Sequence, residues 1–202
     1  MKQFLTILAL FVTAHAFAQQ NLAWAYITKV YDGDGARLVF LKEKPAALPN
    51  STKKKDRPKG PVVKVRFVGV DAPELKNDFV GITETQPWAL QSRDSLRKLI
   101  RYKYVLVDTL PYGRKSYSYD RLLVDVYVPE QSPGLLNYYI VSKGWAWAKP
   151  SPRKDQALDK LILNACEEAQ ASHVGLFSQK VKGKWFKNVT PAYWRATHKK
   201  KQ

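Results

Sequence analysis

Four acidic residues lie beside predicted turns, and their carboxylates are the kind of ligand that a hard divalent cation prefers. Asp32 and Asp34 belong to the stretch YDGDGARL, whereas Asp71 and Glu74 follow the apolar run RFVGV. Carboxylate oxygens in such a group suit calcium or magnesium. The same residue types also favour turns and helix caps, where no metal is needed. The residues alone therefore leave a metal site and a set of turn formers as alternatives.

The stretch YDGDGARL is not a complete calcium loop. An EF-hand interpretation places Asp32 and Asp34 at ligand positions and Glu43 at the last position, but Ala36 falls where a ligand belongs and Arg37 where the sharp-turn glycine belongs. Asp-Gly pairs between apolar residues also favour a tight hairpin turn. We therefore expect a hairpin here, and a metal bound to it would need ligands from a distant segment.

Histidine and cysteine offer no obvious metal chemistry. The three histidines are scattered, and the single cysteine, Cys166, lacks a partner for a zinc site or an internal disulfide. Cys166 lies in a predicted amphipathic helix, which favours a small buried thiol.

Two arginines have the right chemistry for phosphate. Arg66 lies on an otherwise apolar strand before Asp71, and Arg121 precedes the apolar run LLVDVYV. A guanidinium donates two hydrogen bonds to phosphate oxygens and opposes the charge that develops during phosphoryl transfer. The alternative is a structural ion pair with Asp71 or Asp125.

The charge balance points to polyanionic partners. The chain has 202 residues, with 34 lysines and arginines against 17 acidic residues, for a formal charge of +17, and an apolar fraction of 45% that can furnish a core. Such an excess favours nucleic acid first and an acidic membrane surface second. An alkaline protein whose charge only prevents aggregation is the alternative.

The N-terminus predicts export. Residues 1–18 contain Lys2, the apolar run FLTILALFVTA and the small-residue pattern AFA, so we expect a signal peptide cleaved before Gln19. A membrane anchor is the alternative, but the apolar run is shorter than the ~20 residues that a spanning helix needs. No later stretch approaches that length, so we expect no stable membrane insertion after the signal is removed.

Apolar periodicity predicts the elements that position these residues. Five strands are predicted, namely AWAYITKVYDGD, ARLVFL, VVKVRFVGV, YVLVDTL and YDRLLVDVYVP. Three helices are predicted over WALQSRDSLRKLIR, over residues 135–143 with Gly144 as a C-cap, and over residues 155–172. The absence of strand-helix alternation predicts an α+β fold with a mostly antiparallel five-stranded barrel and three helices outside it. The four carboxylates converge if the first and third strands are neighbours.

Two basic segments flank or interrupt this pattern. Residues 42–61 contain four prolines and the run KKK, which predicts a basic loop insertion that tracks phosphates or is simply solvated. Residues 179–202 form a basic, aromatic tail that adds nonspecific affinity for nucleic acid or lies on the domain surface. Aromatic residues could stack on unpaired bases, although the tryptophans are more typical of a core; these residues are Tyr117, Tyr119, Trp145 and Trp147.

The motifs DGDG, RFVGVDAPE and YDR, followed by NYYIVSKGWAWA and a helix ending in GLF, resemble the staphylococcal nuclease (thermonuclease) family. The similarity covers roughly residues 24–178. It implies an OB-type barrel with three helices. It also implies calcium-dependent hydrolysis of DNA and RNA to products with 3′-phosphate and 5′-hydroxyl ends.

The resemblance also implies a role for each matching residue. Asp34, Asp71 and the Ala72 carbonyl would bind Ca²⁺, while Asp32 would support the metal loop. Glu74 would orient or deprotonate the attacking water. The residues that would contact the substrate are Arg66 and Arg121, on the scissile phosphate, and Tyr119, on a neighbouring phosphate or sugar.

Three positions depart from the family's usual pattern. Gly35 and Ala72 stand where the family usually has threonine, and Asp120 stands where it has glycine. Loss of a hydroxyl at Gly35 would loosen the metal loop and lower calcium affinity. Ala72 should matter little, since the expected ligand is its backbone. Asp120 would pair with Arg121 and weaken the hold of Arg121 on phosphate.

The sequence therefore predicts three segments: a signal peptide over residues 1–18, a nuclease-like domain over 19–178, and the tail over 179–202. The predicted function is an exported, calcium-dependent, monomeric endonuclease that acts on DNA and RNA and favours single-stranded or locally unpaired substrate. The alternative is a catalytically weak or inactive nucleic-acid-binding protein with the same barrel.

Overall fold

A computed structural model describes residues 22–46, 57–109, 117–118, 120–129, 134–153, 156–181, 184–185 and 189–200. The predicted signal peptide, much of the basic loop and Tyr119 lie outside the described residues. No helix in the described ranges is long and apolar enough to cross a membrane.

The centre of the fold is a closed barrel. Its strands are β1 (Ala23–Val30), β2 (Gly35–Phe40), β3 (Val62–Phe67), β5 (Tyr104–Asp108) and β7 (Arg121–Tyr127). They follow the order β3-β2-β1-β5-β7, and a parallel pairing of β3 with β7 closes the ring, while the other pairings are antiparallel. The predicted α+β, mostly antiparallel five-stranded barrel is confirmed.

Short strands complete the sheets. They are β4 (Val70–Asp71), β6 (Tyr117–Ser118), β8 (Trp147–Ala148), β9 (Lys180–Val181) and β10 (Lys184–Trp185). Strand β6 extends the barrel sheet beside β7, and β4 pairs with β8.

Four α-helices are present in the described chain, one more than predicted. They are α1 (Ala89–Ile100), α2 (Leu136–Ser142), α3 (Gln156–Ala171) and α4 (Pro191–Thr197), and a 3-10 helix covers Gly175–Ser178. The additional helix, α4, lies in the tail. The predicted C-cap Gly144 has φ of 60°, and a Cβ there would lie 2.2 Å from the Val174 carbonyl oxygen, so glycine is required.

Side-chain alternation explains the core. Alternate residues of each strand point into the barrel, where Ile27, Leu38, Val65 and Phe67 are fully buried. Asn137 of α2 ties the helix to the barrel, since its amide donates to the Val68 carbonyl at 2.8 Å and its oxygen accepts from the Val126 N–H at 3.1 Å. Each buried polar atom of Asn137 is thereby satisfied.

Candidate catalytic site

The site is centred on a buried guanidinium shared by two carboxylates. Arg66 Nη2 lies 2.8 Å from Asp71 Oδ1 and 3.0 Å from Asp34 Oδ2. All three residues are buried, with 9% or less of their surface exposed. The opposite charges of Asp34 and Asp71 raise the pKa of Arg66 despite its burial, so its positive charge is secure.

Strand register brings these residues together. Gly35 of β2 pairs with Arg66 of β3, and the Phe67 N–H donates to the Asp34 carbonyl at 2.9 Å. The Ala72 N–H donates to Asp34 Oδ2 at 3.1 Å, which fixes the segment after β4 against the hairpin. The sequence-based expectation was that the carboxylates converge if the first and third strands are neighbours. That condition is not met, because β2 lies between β1 and β3. The residues meet because β2 lies between them and begins directly after Asp34.

Asp32 supports the turn before β2. Its Oδ1 accepts a hydrogen bond from the Asp34 N–H at 3.2 Å. Burial, reinforced by the negative charge of Asp34, raises the pKa of Asp32 to about 7. A Cβ at Gly35 would lie 2.9 Å from Asp32 Oδ1. Asp32 therefore braces the loop at Gly35, the position where the family that the chain resembles usually has a threonine hydroxyl.

Arg121 lies beside the same cluster, at the start of β7. Its Nη1 is 4.0 Å from Asp34 Oδ1, and the side chain is partly exposed. The residue before it, Asp120, pairs with Lys64. The expected pairing of Asp120 with Arg121 is wrong, since the direct partner of Asp120 is Lys64. Within the described residues, the ion pair of Arg121 is the one with Asp34.

Glu74 lies in the loop that follows β4 and is held through its backbone. The Glu74 N–H donates to Gln86 Oε1 at 3.0 Å, and the Gln86 N–H donates to the Glu74 carbonyl at 2.7 Å. Gln86 is itself buried. Burial raises the pKa of the Glu74 carboxyl, while a hydrogen bond from Arg195 opposes the rise. A carboxylate with a raised pKa is better suited to accept a proton near neutral pH.

Arg195 of α4 also enters the site, and the sequence analysis missed it. Its guanidinium donates to both oxygens of Asp71, at 3.0 Å to Oδ2 and 3.3 Å to Oδ1, and pairs with Glu74. Lys149 Nζ lies 3.8 Å from Asp71 Oδ1. Arg195 therefore occupies the carboxylate that the resemblance assigns to the metal.

The C-terminal segment, residues 189–200, is docked along the loop that carries Glu74. The Thr83 N–H donates to the His198 carbonyl at 3.0 Å, the Lys200 N–H donates to the Gly81 carbonyl at 2.9 Å, and Trp194 Nε1 donates to the Glu84 carbonyl at 3.1 Å. Residues 189–200 of the tail thus lie on the domain surface, one of the two alternatives expected for residues 179–202. A sequence signal for α4 existed, because Thr190 accepts from the Tyr193 N–H as an N-cap and Pro191 follows it.

The donor chemistry fits a hard cation. Asp34 and Asp71 both contact Arg66 Nη2, and Asp34 Oδ1 has Arg121, at 4.0 Å, as its ion-pair partner. The described residues hold no group of three or more histidine, cysteine, aspartate or glutamate side chains arranged for a metal. The ligand set that the resemblance implies, two carboxylates and the Ala72 carbonyl with water in further positions, is one that calcium accepts.

The structure also shows the exposure of three further residues that the sequence analysis considers. Trp147 is 5% exposed and packs edge-on against Phe177, so it belongs to the core. Cys166 is a buried free thiol, as expected. Tyr117 is 64% exposed.

The barrel and the site together define an OB-type domain that places arginines and carboxylates at strand ends. Residues 64–179 match the family model of staphylococcal nuclease homologues. Because the match covers more than half of the chain, the chain belongs to the staphylococcal nuclease family. No curated protein matches the chain. The family is generally one of nucleases, and the domain implies nucleic-acid binding.

The family match begins after the DGDG hairpin. Asp32 and Asp34 lie outside the matched residues, and the pairing of Gly35 with Arg66 is what places them in the site. The hairpin is therefore assigned to the candidate site by its strand register and by the contacts of Asp34 with Arg66 and Ala72, and not by the family match.

Proposed function

We propose that this chain is an exported, calcium-dependent endonuclease that hydrolyses phosphodiester bonds of DNA and RNA with little sequence specificity. The observation that carries the proposal is the contact of Arg66 with both Asp34 and Asp71, beside Arg121. A buried cation between two carboxylates, with a second arginine nearby, offers separate places for a divalent ion and for a phosphate.

Arg66 and Arg121 would bind the scissile phosphate. The hydrogen bonds and ion pairs of Arg66 with the described residues all use Nη2, which leaves its Nε and Nη1 donors for phosphate oxygens. Arg121 is partly exposed and lies beside Asp34, so it can contact the same phosphate. Two guanidinium groups would oppose the additional negative charge of a five-coordinate phosphorus.

Asp34 and Asp71 would hold the cation through their carboxylates, with the Ala72 carbonyl as a further ligand and Asp32 bracing the loop. Bound calcium supplies neutralisation of phosphate charge and lowers the pKa of a coordinated water.

Glu74 would accept the proton of the attacking water. The water oxygen forms a bond to phosphorus, the bond from phosphorus to the 5′ oxygen breaks, and the leaving oxygen takes up a proton. The products then carry a 3′-phosphate and a 5′-hydroxyl. Burial raises the pKa of Glu74, which suits this role.

These contacts are to phosphate, and contacts of that kind carry no sequence information. Tyr117, which is exposed, and Tyr119 would stack on or contact unpaired nucleotides, which favours single-stranded substrate. Export would follow cleavage of residues 1–18, and the chain would act as a monomer.

The test uses the exported form, beginning at Gln19, with labelled single-stranded DNA, duplex DNA and RNA. Cleavage is measured with calcium and with a calcium chelator. Glu74→Gln should lower turnover by about 100- to 10,000-fold with little change in binding, and Arg66→Ala should lower it as well. Glu84→Gln is the matched control, because Glu84 is an exposed acid on the same loop.

Calcium-dependent cleavage that Glu74→Gln and Arg66→Ala abolish, with 3′-phosphate ends, is the expected result. Cleavage that is unaffected by the chelator would refute the calcium requirement. Equal loss of binding and turnover in Glu74→Gln would make Glu74 structural.

One observation favours a second function, a nucleic-acid-binding protein with weak or no catalysis. Arg195 pairs with Asp71 and Glu74, the expected ligand and the expected base. Tight binding without cleavage at any calcium level would support this alternative.

A further inference from the structure

A second basic site lies outside the candidate catalytic site. A cavity of about 450 Å³ opens between the end of β1 and the helix α1. Its lining is mainly basic and aromatic. The six residues that define this α1 groove are Lys29, Tyr31, Arg93, Arg97, Arg101 and Tyr102.

The positive charge of the α1 groove is largely uncompensated. Arg93, Arg97 and Arg101 are spaced four residues apart, so they lie along one face of α1 and its C-terminal end. Within the described residues, Arg93 pairs with Asp94 at 2.9 Å, while Arg97 and Arg101 have no acidic residue within ion-pair distance. Like charges one helical turn apart repel. A bound polyanion would remove that repulsion.

Aromatic rings hold the cations in place. Lys29 Nζ lies 5.1 Å from the centroid of the Tyr31 ring, and Arg101 Cζ lies 4.2 Å from the centroid of the Tyr102 ring. Such cation-π contacts restrict long side chains that are otherwise mobile. Because cations cover these ring faces, the rings are not free to stack on bases. The groove therefore suits phosphates better than bases.

The tyrosines of the α1 groove have two further features. Tyr102 has φ of 64°, a left-handed conformation that is costly for a bulky residue and that clusters at functional positions. The Tyr31 hydroxyl is buried and has no hydrogen-bond partner in the described part of the chain. An anionic oxygen or a water in the cavity would satisfy it.

The α1 groove adjoins the metal loop. Tyr31 directly precedes Asp32, and Gly33 packs so closely against α1 that a Cβ on it would lie 2.0 Å from Ser92 Oγ. From Arg93 to Arg101 the chain rises about 12 Å along the helix axis, which is long enough for the arginines to contact more than one phosphate of a strand. A strand that lies across the catalytic residues can continue into this groove.

We propose that the α1 groove is a second phosphate-backbone site, which binds the part of a nucleic-acid strand that lies beyond the cleaved bond. The polynucleotide nature of the ligand rests on the proposed function. The groove adds affinity for long strands and does not take part in the chemistry, so its contribution depends on substrate length and on salt.

The test measures binding without cleavage. Fluorescence anisotropy of a labelled long oligothymidylate is followed with the intact chain in the presence of a metal chelator, over a range of salt concentrations. The variants are Arg97→Gln, the double variant Arg97→Gln/Arg101→Gln, and Lys29→Gln. Lys29 lines the groove from β1. Lys98→Gln is the matched control. It removes one positive charge from an exposed position on α1 that does not line the groove.

The double variant should bind the long oligonucleotide about tenfold more weakly, since two solvent-screened contacts to phosphate are lost. The slope of log affinity against log salt should become shallower by ~0.7 for each lost contact. Lys29→Gln should act in the same direction. Lys98→Gln should bind as the parent does, and circular dichroism should show that all variants are folded.

Unchanged affinity and salt slope in the double variant would overturn the proposal, as would an equal loss in Lys98→Gln. Binding of acidic lipid vesicles that the double variant abolishes, without an effect on the oligonucleotide, would also overturn it. Cleavage of a dinucleotide by the double variant at the parent rate separates the two proposals. If the parent binds the long strand but cleaves nothing, the proposed function fails while the groove stands.

Discussion

Replacement of Arg195 tests whether the C-terminal segment competes with calcium for the site. In Arg195→Gln, Asp71 loses hydrogen bonds at 3.0 and 3.3 Å and Glu74 loses its pairing with the guanidinium. The carboxylates would then be available to a divalent ion. We therefore expect calcium to bind more tightly to the variant than to the parent chain.

The magnitude follows from the strength of the contacts that calcium must displace. A hydrogen bond to a charged group contributes about 1.5–3 kcal/mol. The Arg195 side chain is 37% exposed, so solvent screening places the effect near the lower limit. About 1.4 kcal/mol corresponds to a tenfold change in affinity. The dissociation constant for calcium should fall about tenfold in Arg195→Gln.

The assay is isothermal titration of calcium into the intact chain without substrate. Lys199→Gln is the matched control, because this substitution removes one positive charge from an exposed position in the same segment. Limited proteolysis provides a second measurement. Calcium should make the C-terminal segment of the parent chain more susceptible to cleavage, since it displaces Arg195. Unchanged calcium binding in Arg195→Gln would show that Arg195 does not compete with calcium. Weaker binding would show that Arg195 supports the site, and either result would refute the reasoning.

Three further substitutions test the framework of the site. Arg153→Met should destabilise the fold by about 3–5 kcal/mol in urea unfolding, because Arg153 is bonded to the buried Asp125. Asp125→Leu in the same chain should recover part of that loss. Gly33→Ala should cost about 1–3 kcal/mol and weaken calcium binding, because its Cβ would overlap Ser92 Oγ at 2.0 Å; Ser92→Gly should restore part of both in the same titrations. Gly35→Thr should weaken calcium binding, because its Cβ would lie 2.9 Å from Asp32 Oδ1; a tighter titration would show that a hydroxyl there is beneficial.

Local patterns predicted the elements of the barrel well. Alternation in VVKVRFVGV predicted β3, and Val65 and Phe67 are buried as that alternation requires. Gly144 was predicted as a C-cap and has the left-handed conformation that favours glycine there. These features depend on neighbours a few residues apart, so periodicity and capping chemistry are sufficient to find them.

Candidate site residues could also be predicted, because their types and their positions at strand ends can be read from the sequence. The positions of Asp34, Arg66 and Asp71 at strand ends predict a shared site, and the structure brings these residues within hydrogen-bond or ion-pair distance. The route by which they meet was wrong, since a single sequence does not specify which strands are neighbours. The sequence determined which groups could do chemistry and which residues face the core.

Tertiary structure alone decided how those groups are paired. The parallel pairing of β3 with β7 joins Arg66 to Leu123 across more than fifty residues, and closes the barrel. Arg195 reaches Asp71 across 124 residues because α4 docks on the loop after β4. Such contacts depend on the packing of whole elements, and no local pattern near Arg195 specifies which carboxylate it will meet. The physical reason is that periodicity reports on faces and turns, whereas partners are chosen by the three-dimensional closure of the chain.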